Sequence, residues 1–476
     1  IGLFAEGDVQ ADYDNFKYMP IVPEVSPKLM SGDANPLLDF MFAADPTAVE
    51  YEGRLYVYAT NDNQQYEAVG RDGRNTYERI KSLVMMSTDD MVNWTYHGVI
   101  DVNSIAPWIM ASWAPSIVKR KESDGKTHFY LYFSNSGFGT GVLTATSPVG
   151  PWISPLDKSL IDANTPGLGD CKVPFDPGTV IDDNGTGWLA VGAGSSCIMR
   201  LGKDMLSIDS EIVKMNAPHH FEANELNFIN GTYVYTYNTD WQDYSDWNYT
   251  TEKPTKCSMF YMTSKTPLDN TSWKYHNNYL KNPGDYGLGF SNNHTHLHKF
   301  RDKWYLFYHT LTLQSSFNTD GGFRNVCVDE INVDEKSVRI SMGNQTLKGV
   351  EQIQPLNPFV FHEAETTAAT QNIKFTQSPE VGNMYAGISN GEEGLICLRG
   401  VKFSKKPSSF VAKVCGNGVI EVRRGIPSGE TIATLMVDNG NMEIIKSEVT
   451  RKFKGQTDLY FVLRGQNISF DSWKFE

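Results

Sequence analysis

Apolar and polar positions over the first three quarters of the chain repeat one pattern. Residues 43–62, AADPTAVEYEGRLYVYATND, set it: an acidic residue, a short apolar strand, a Gly-containing turn, then an aromatic-rich strand ending in small polar residues. The pattern returns as WAPSIVKRKESDGKTHFYLYFSNSG (113–137), FDPGTVIDDNGTGWLAVGAG (175–194), FEANELNFINGTYVYTYNTDW (221–241) and NNHTHLHKFRDKWYLFYHT (292–310). The turns read Glu-Gly, Asp-Gly, Asn-Gly, Asn-Gly and Arg-Asp. Gly or Asn there supplies the backbone a tight hairpin needs. Counted between Asp45, Trp113, Asp176, Glu222 and His294, the unit recurs every 46 to 72 residues. That spacing leaves room for two further strands per repeat. Five four-stranded blades in a ring make an all-β fold, a five-bladed β-propeller.

The ring gives scattered polar residues a common destination. The innermost strand of each blade lines the central axis, so Asp45, Asp176, Glu222 and His294 converge, with Trp113 offered by the second repeat. Residues 1–35 are Pro-rich and aperiodic and read as an N-terminal arm; residues 36–357 carry the repeats. No long amphipathic helix is evident. Long aromatic loops at 61–80 and 238–254 sit where specificity usually resides. Beyond residue 357 the pattern changes to short alternating segments: SFVAKV, VIEVRR, TIATLMV, DLYFVLRG and ISFDSWKF. Such segments predict a β-sandwich over 358–476.

Composition narrows the function classes. The chain has 476 residues, room for two domains with full cores. A net charge of −14 makes it a poor partner for nucleic acid or anionic membrane. Aromatics reach 12%, enough to pack cores and also to stack on sugar faces. No apolar run reaches the ~18 residues of a membrane-spanning helix. The opening IGLFAEGDVQ lacks the basic end and apolar core of a signal peptide. The six cysteines lie far apart without metal-type pairs and read as buried thiols, with an isolated disulfide left open. Eight Asn-x-Ser/Thr sequons, at Asn93, Asn184, Asn230, Asn248, Asn270, Asn293, Asn344 and Asn467, read as chance in an Asn-rich chain. A glycan on Asn293 would block the axial His294.

The acids carry the candidate chemistry. Two carboxyl groups across a sugar are the minimal machinery for hydrolysing a glycosidic bond: one donates a proton to the leaving oxygen, the other attacks or activates water. A third carboxylate raises the donor's pKa by repulsion. Asp45, Asp176 and Glu222 supply that number. An Asp before Pro is by itself an ordinary turn residue; recurrence at one repeat position is what points to function. Glu225, three residues after Glu222, is the rival donor. His294, His296 and His298 share one strand face and could bind zinc. With no acidic base beside them, a single axial His294, orienting a carboxylate or holding a hard ion through waters, is the preferred reading. Arg324 could hold a sugar hydroxyl or orient the acid, or form an ordinary surface ion pair.

The motifs NPLLDFMFAADPTAV, MMSTDDMVNWTYHG, SWAPSIV, FDPGTVIDDNGTGWL, HFEANELNFINGTYVYTY and NNHTHLHKFRDKWYLFYH resemble glycoside hydrolase family 43, in its arabinoxylan arabinofuranohydrolase and β-xylosidase branch. The resemblance implies an inverting, exo-acting glycosidase that needs no cofactor for its chemistry. Asp45 would be the general base, Asp176 the pKa modulator and Glu222 the general acid. Trp113, His294 and Arg324 would meet the sugar, with His294 often beside an axial calcium. The substrate would be arabinoxylan or xylo-oligosaccharides. A polymer substrate implies a secreted or periplasmic enzyme, imported oligosaccharides a cytoplasmic one. The tail resembles carbohydrate-binding module family 6 in HEAE (362–365) and FDSWKF (470–475). That likeness implies a structural calcium on Glu363, Glu365 and Asp471. Where many such modules carry Gly-Asp-Trp-Ile, this chain has NGEEGLICLRG. The aromatic platform is missing there, and the expected role of the tail is to buttress the propeller. The resemblance favours release of α-L-arabinofuranosyl groups from arabinoxylan or its oligosaccharides; the alternative readings are a β-D-xylosidase, one enzyme doing both, and, in other classes, a non-catalytic glycan-binding propeller or an interaction scaffold.

Overall fold

The structure, a computed structural model, describes residues 27–391 and 393–476. Of the N-terminal arm, residues 1–26 lie outside the described residues; 27–35 begin with the short helix Pro27–Ser31. Five antiparallel sheets follow in ring order. The first contains Ala44–Tyr51, Arg54–Thr60, Ser82–Thr88 and Trp94–Asp101. The second and third start at Trp113–Lys121 and Gly178–Ile181, the fourth at His220–Ile229. The fifth has three strands, Thr295–Phe300, Lys303–Thr310 and Asn325–Ile331.

The five predicted hairpins form, the first, fourth and fifth with two-residue turns and the second and third with five-residue loops, 122–126 and 182–186, in place of tight turns. Glu52–Gly53 and Asn230–Gly231 take positive φ at both turn positions, so Tyr51 pairs with Arg54 and Ile229 with Thr232. Residues 34–37 close the ring along the outer edge of the fifth sheet. The Leu37 N–H donates to the Val326 carbonyl at 2.9 Å, and the Asn35 side chain bonds both the N–H and the carbonyl of Val328. Leu37, Leu38 and Met41 then pack with Phe300, Phe307 and Val57 between the last and first sheets. Burial of such side chains, worth ~1.5–3 kcal/mol each, holds adjacent blades together.

The tail is one eight-stranded sheet system wrapped over a single core of Phe410, Ile420, Leu435, Phe461, Trp473 and neighbours. Segments that read as separate strands are joined. Ser409–Arg424, Thr431–Glu448 and Gly455–Phe475 each run unbroken through their Gly- and Asn-rich middles. Glycine is required where they meet: a Cβ on Gly418 would lie 2.1 Å from the Arg464 carbonyl, and one on Gly465 2.3 Å from that of Asn417. The residues that look like turns lie where two long antiparallel strands pair at close backbone approach, Gly418 opposite Gly465.

The tail is bonded into the propeller. Thr366–Thr367 adds a strand to the first sheet against Trp94 and Thr95. Asn93 and Arg399 exchange two hydrogen bonds of 2.9 Å. Asn93, a sequon residue, is therefore an interface residue, and Asn293 is fully buried.

Candidate active site

The inner strands of the first four blades approach the axis through a left-handed residue. Asp45, Ala114, Asp176 and Ala223 take φ of 51°, 40°, 50° and 60° in the first four blades. Pairing registers shift at this point in the first, second and fourth blades. A residue with a Cβ is costly in this region, of order 1–3 kcal/mol, and such strain collects where a side chain must be re-aimed. The left-handed position corrects the sequence register. Asp45 and Asp176 are equivalent to each other and to two alanines; Trp113 and Glu222 stand one residue earlier, in the place of Ala44 and Phe175. Both positions face one cavity of about 180 Å³, lined by Asp45, Tyr77, Trp113, Phe175, Asp176, Glu222, Asn292 and Arg324.

Polar residues that end the second strands of the first, second and fifth blades support the left-handed residue of the next blade. Thr60 accepts from the Ala114 N–H at 2.7 Å and donates to Asp45 Oδ2 at 2.8 Å. Ser134 accepts from the Asp176 N–H at 2.7 Å. His309, from the fifth blade, accepts the Asp45 N–H on Nδ1 at 3.3 Å and donates through Nε2 to the Asn292 carbonyl at 2.8 Å. The recurring aromatic–small-polar ending in the sequence thus fixes the carboxylates.

Electrostatics separates three neighbouring acids. Burial by itself would raise Asp45. Arg324, whose Nη1 donates to Asp45 Oδ1 at 2.8 Å, reverses this with help from His309 and His294, and the carboxyl is held well below its usual range. Glu222 moves the other way, to about 7: burial raises it, the Asn292 Nδ2 contact at 3.2 Å opposes, the Asp45 charge raises it further, and Arg324 opposes. Asp176 is lifted by burial and then by the charges of Glu222 and Asp45, so this pair of acids retains a proton into the neutral range. One carboxylate is fixed ionised and another is poised to donate, in one pocket.

The remaining candidates lie elsewhere. His294 sits behind the acids, Nδ1 at 3.6 Å from Asp45 Oδ1 and 4.0 Å from Asp176 Oδ2, and not in the cavity lining. Burial lowers it to about 4, so the ring is neutral. His296 faces Glu225 at 3.1 Å and His298 at 3.3 Å. Glu225 is committed to that buried pair and does not line the cavity, which leaves Glu222 as the donor facing it. Among the described residues no three His, Cys, Asp or Glu side chains converge as a metal cluster, neither His294, His296 and His298 nor the tail acids Glu363, Glu365 and Asp471, and the zinc option is dropped. In the tail, Glu363 is lifted by burial and by Asp471, and burial drives Glu365 to about 9. Lys413 Nζ lies 3.1 Å from Asp471 Oδ2.

Residues 34–337 match the family described as glycosyl hydrolases family 43. The chain belongs to glycoside hydrolase family 43. It is 34% identical to an arabinoxylan arabinofuranohydrolase of Bacillus subtilis (strain 168), over 93% of this chain and 92% of that protein. It is 31% identical to one of Paenibacillus polymyxa, over 93% of this chain and 74% of that protein. The crystal structure of a family 43 arabinoxylan arabinofuranohydrolase from Bacillus subtilis in complex with cellotetraose superposes with a TM-score of 0.86 at 33% identity, covering 94% of this chain and 98% of that one. This family 43 enzyme therefore has the propeller and the β-sandwich tail of its relative.

Several residues of the family 43 pocket carried no readable signal. Phe175 and Asn292 flank recognised residues but match no charge or repeat rule. Tyr77 comes from the long first loop, with φ of 65°, and its ring lies over Arg324 at 4.9 Å. Asp62 opens the helix Asp62–Val69 in that same loop, inside a stretch read as irregular.

Proposed function

We propose that this family 43 hydrolase releases single α-L-arabinofuranosyl groups from arabinoxylan or its oligosaccharides, with inversion. The opposed charge states of Asp45 and Glu222 in one cavity carry this reading. Asp45, ionised, takes a proton from the attacking water. Glu222, protonated below about pH 7, gives its proton to the leaving oxygen. Asp176, lifted by burial and then by the charge of Glu222, shares the proton of the pair with the acid. Trp113 and Arg324 face the sugar, and His294 backs the acids from below. A cavity of about 180 Å³ suits one terminal pentose better than a chain, which supports exo action. The names of the relatives support arabinose over xylose and arabinoxylan as the partner polymer. Three charged groups aimed at one small cavity have no use in a glycan-binding or scaffold propeller.

The test is hydrolysis of arabinoxylan, xylo-oligosaccharides and linear arabinan side by side, with NMR of the first sugar released. Arabinose from arabinoxylan with inverted anomeric configuration is expected. Xylose as the main product makes the enzyme a β-D-xylosidase, and retention removes Asp45 from its role as a base.

We further infer a propeller over 36–357 and a module resembling carbohydrate-binding family 6 over 358–476 that holds calcium. Glu365 Oε2 and Asn383 Oδ1 are buried without a hydrogen-bond partner, which fits oxygen ligands of a hard cation. Glu363, Glu365, Asp471 and Asn383 would hold it, and the ion would neutralise a repelling cluster.

A further inference from the structure

Arg324 is gripped from behind by a residue outside the cavity. Asp62 is fully buried and accepts four hydrogen bonds. Its Oδ1 takes Arg324 Nη2 at 2.8 Å, and its Oδ2 takes Arg324 Nε at 2.9 Å and the Arg324 backbone N–H at 3.1 Å. The fourth donor is Asn75 Nδ2, at 2.7 Å. The Tyr77 ring covers one face of the guanidinium at 4.9 Å. Only Nη1 is left to reach Asp45, on Oδ1, while Asp45 Oδ2 is taken by Thr60.

We propose that Asp62 is a positioning residue of the hydrolytic site, which limits Arg324 to one contact with the base. A guanidinium is a planar fork that prefers two parallel bonds to one carboxylate. With Asp62 in place that fork is spent on Asp62. Without it, a buried arginine with two unpaired N–H edges turns to the nearest carboxylate, Asp45, and covers the edge that must receive the proton of water. The proposal rests on Asp45 being the base, and deepens that reading: the arginine keeps the base ionised, and Asp62 keeps the arginine from occupying it.

The experiment is a double-mutant cycle of Asp62→Asn with Arg324→Lys, on the full chain, with kcat and KM on an arabinoxylan oligosaccharide. Asp62→Asn alone should lower kcat about 10²-fold, the scale of a ~1 Å misplacement, with KM changed less than about threefold. In the Arg324→Lys background the same change should cost less than about threefold more, because the fork it restrains is gone. A crystal structure of Asp62→Asn should show Arg324 bonded to Asp45 through two nitrogens. Asn75→Ala, a part-exposed position that keeps the fold, should lower kcat in the same direction by about fivefold. Additive losses in the cycle, or an Asp62→Asn structure with the single Nη1 contact unchanged, overturn the proposal. Failure of the underlying reading shows differently: Asp45→Asn would then hydrolyse the oligosaccharide as the parent does.

Discussion

The molecule holds two triads of carboxylates with opposite fates. In the propeller, Asp45, Asp176 and Glu222 meet around Arg324, and the fixed cation divides them into one depressed and two raised acids. In the tail, Glu363, Glu365 and Asp471 have no arginine bonded among them: Arg54 and Lys413 only partly offset the rise of Glu363, Lys413 reaches Asp471 from a site one third exposed, and Glu365 is left with an unpartnered oxygen. The propeller acids open into a cavity, whereas Glu365 is sealed. Equal numbers of acids thus give divided charge states beside a cavity in one place and raised, partly unpartnered carboxyls in the other. What decides between them is a buried guanidinium that breaks the symmetry of the group and a space for substrate beside it.

The sharpest way to break the comparison is to remove the divided charges. Glu222→Gln should lose about 10³- to 10⁴-fold in kcat on arabinoxylan but far less on aryl arabinosides, whose leaving groups need no proton. Asp45→Asn should be crippled on both, since water still needs a base. Equal losses for Glu222→Gln on the two substrate types would take away its role as acid.

The pH profile sharpens it next. Asp45 stays ionised far below the ordinary carboxylate range, so activity should persist into acid solution until the fold fails. Glu222 must be protonated, so kcat/KM should fall about tenfold per pH unit above about 7. Asp176→Asn, which removes an acid that shares a proton with Glu222, should move that alkaline limb to lower pH. A limb that stays in place would mean that burial and the Asp45 charge set Glu222 without Asp176.

The tail predicts a change in stability. Glu365 rises from 4.5 to about 9 on folding, so its favourable contribution is complete below pH 4.5 and is lost as pH rises toward 9. Without calcium, melting temperature should therefore decline over that window, and Glu365→Gln should flatten the decline. Millimolar calcium should raise the melting temperature of the parent at pH 8 by several degrees and that of Glu365→Gln less. Equal calcium shifts in both proteins would place the ion elsewhere.

The smallest effect separates the rival acids. Glu225→Gln should keep kcat within about threefold, because Glu225 is spent on His296 beneath the cavity. A loss matching that of Glu222→Gln would reverse the two glutamates.

What the sequence by itself determined follows from local rules. Five repeats of apolar strand, turn and aromatic strand fix five hairpins, and hairpins spaced with room for further strands stack into a ring. Asp45, Asp176 and Glu222 were legible because a ring brings one strand end from every blade to one axis. The small polar residues Thr60 and Ser134 were legible only as an ending; their use, as supports for the next blade's left-handed residue, needs the neighbour in place. Tertiary structure alone decided three things. It set the bulge that puts Glu222 one residue off the register of Asp45, because positive φ at Ala223 leaves no mark in the alternation. It joined the tail's segments into long strands, because the glycines at 416, 418 and 465 serve a close backbone approach that sequence cannot distinguish from a turn. It brought Asp62 to Arg324 across 262 positions of chain. Pairing of that range is set by how blades close on one another, and no local pattern encodes it.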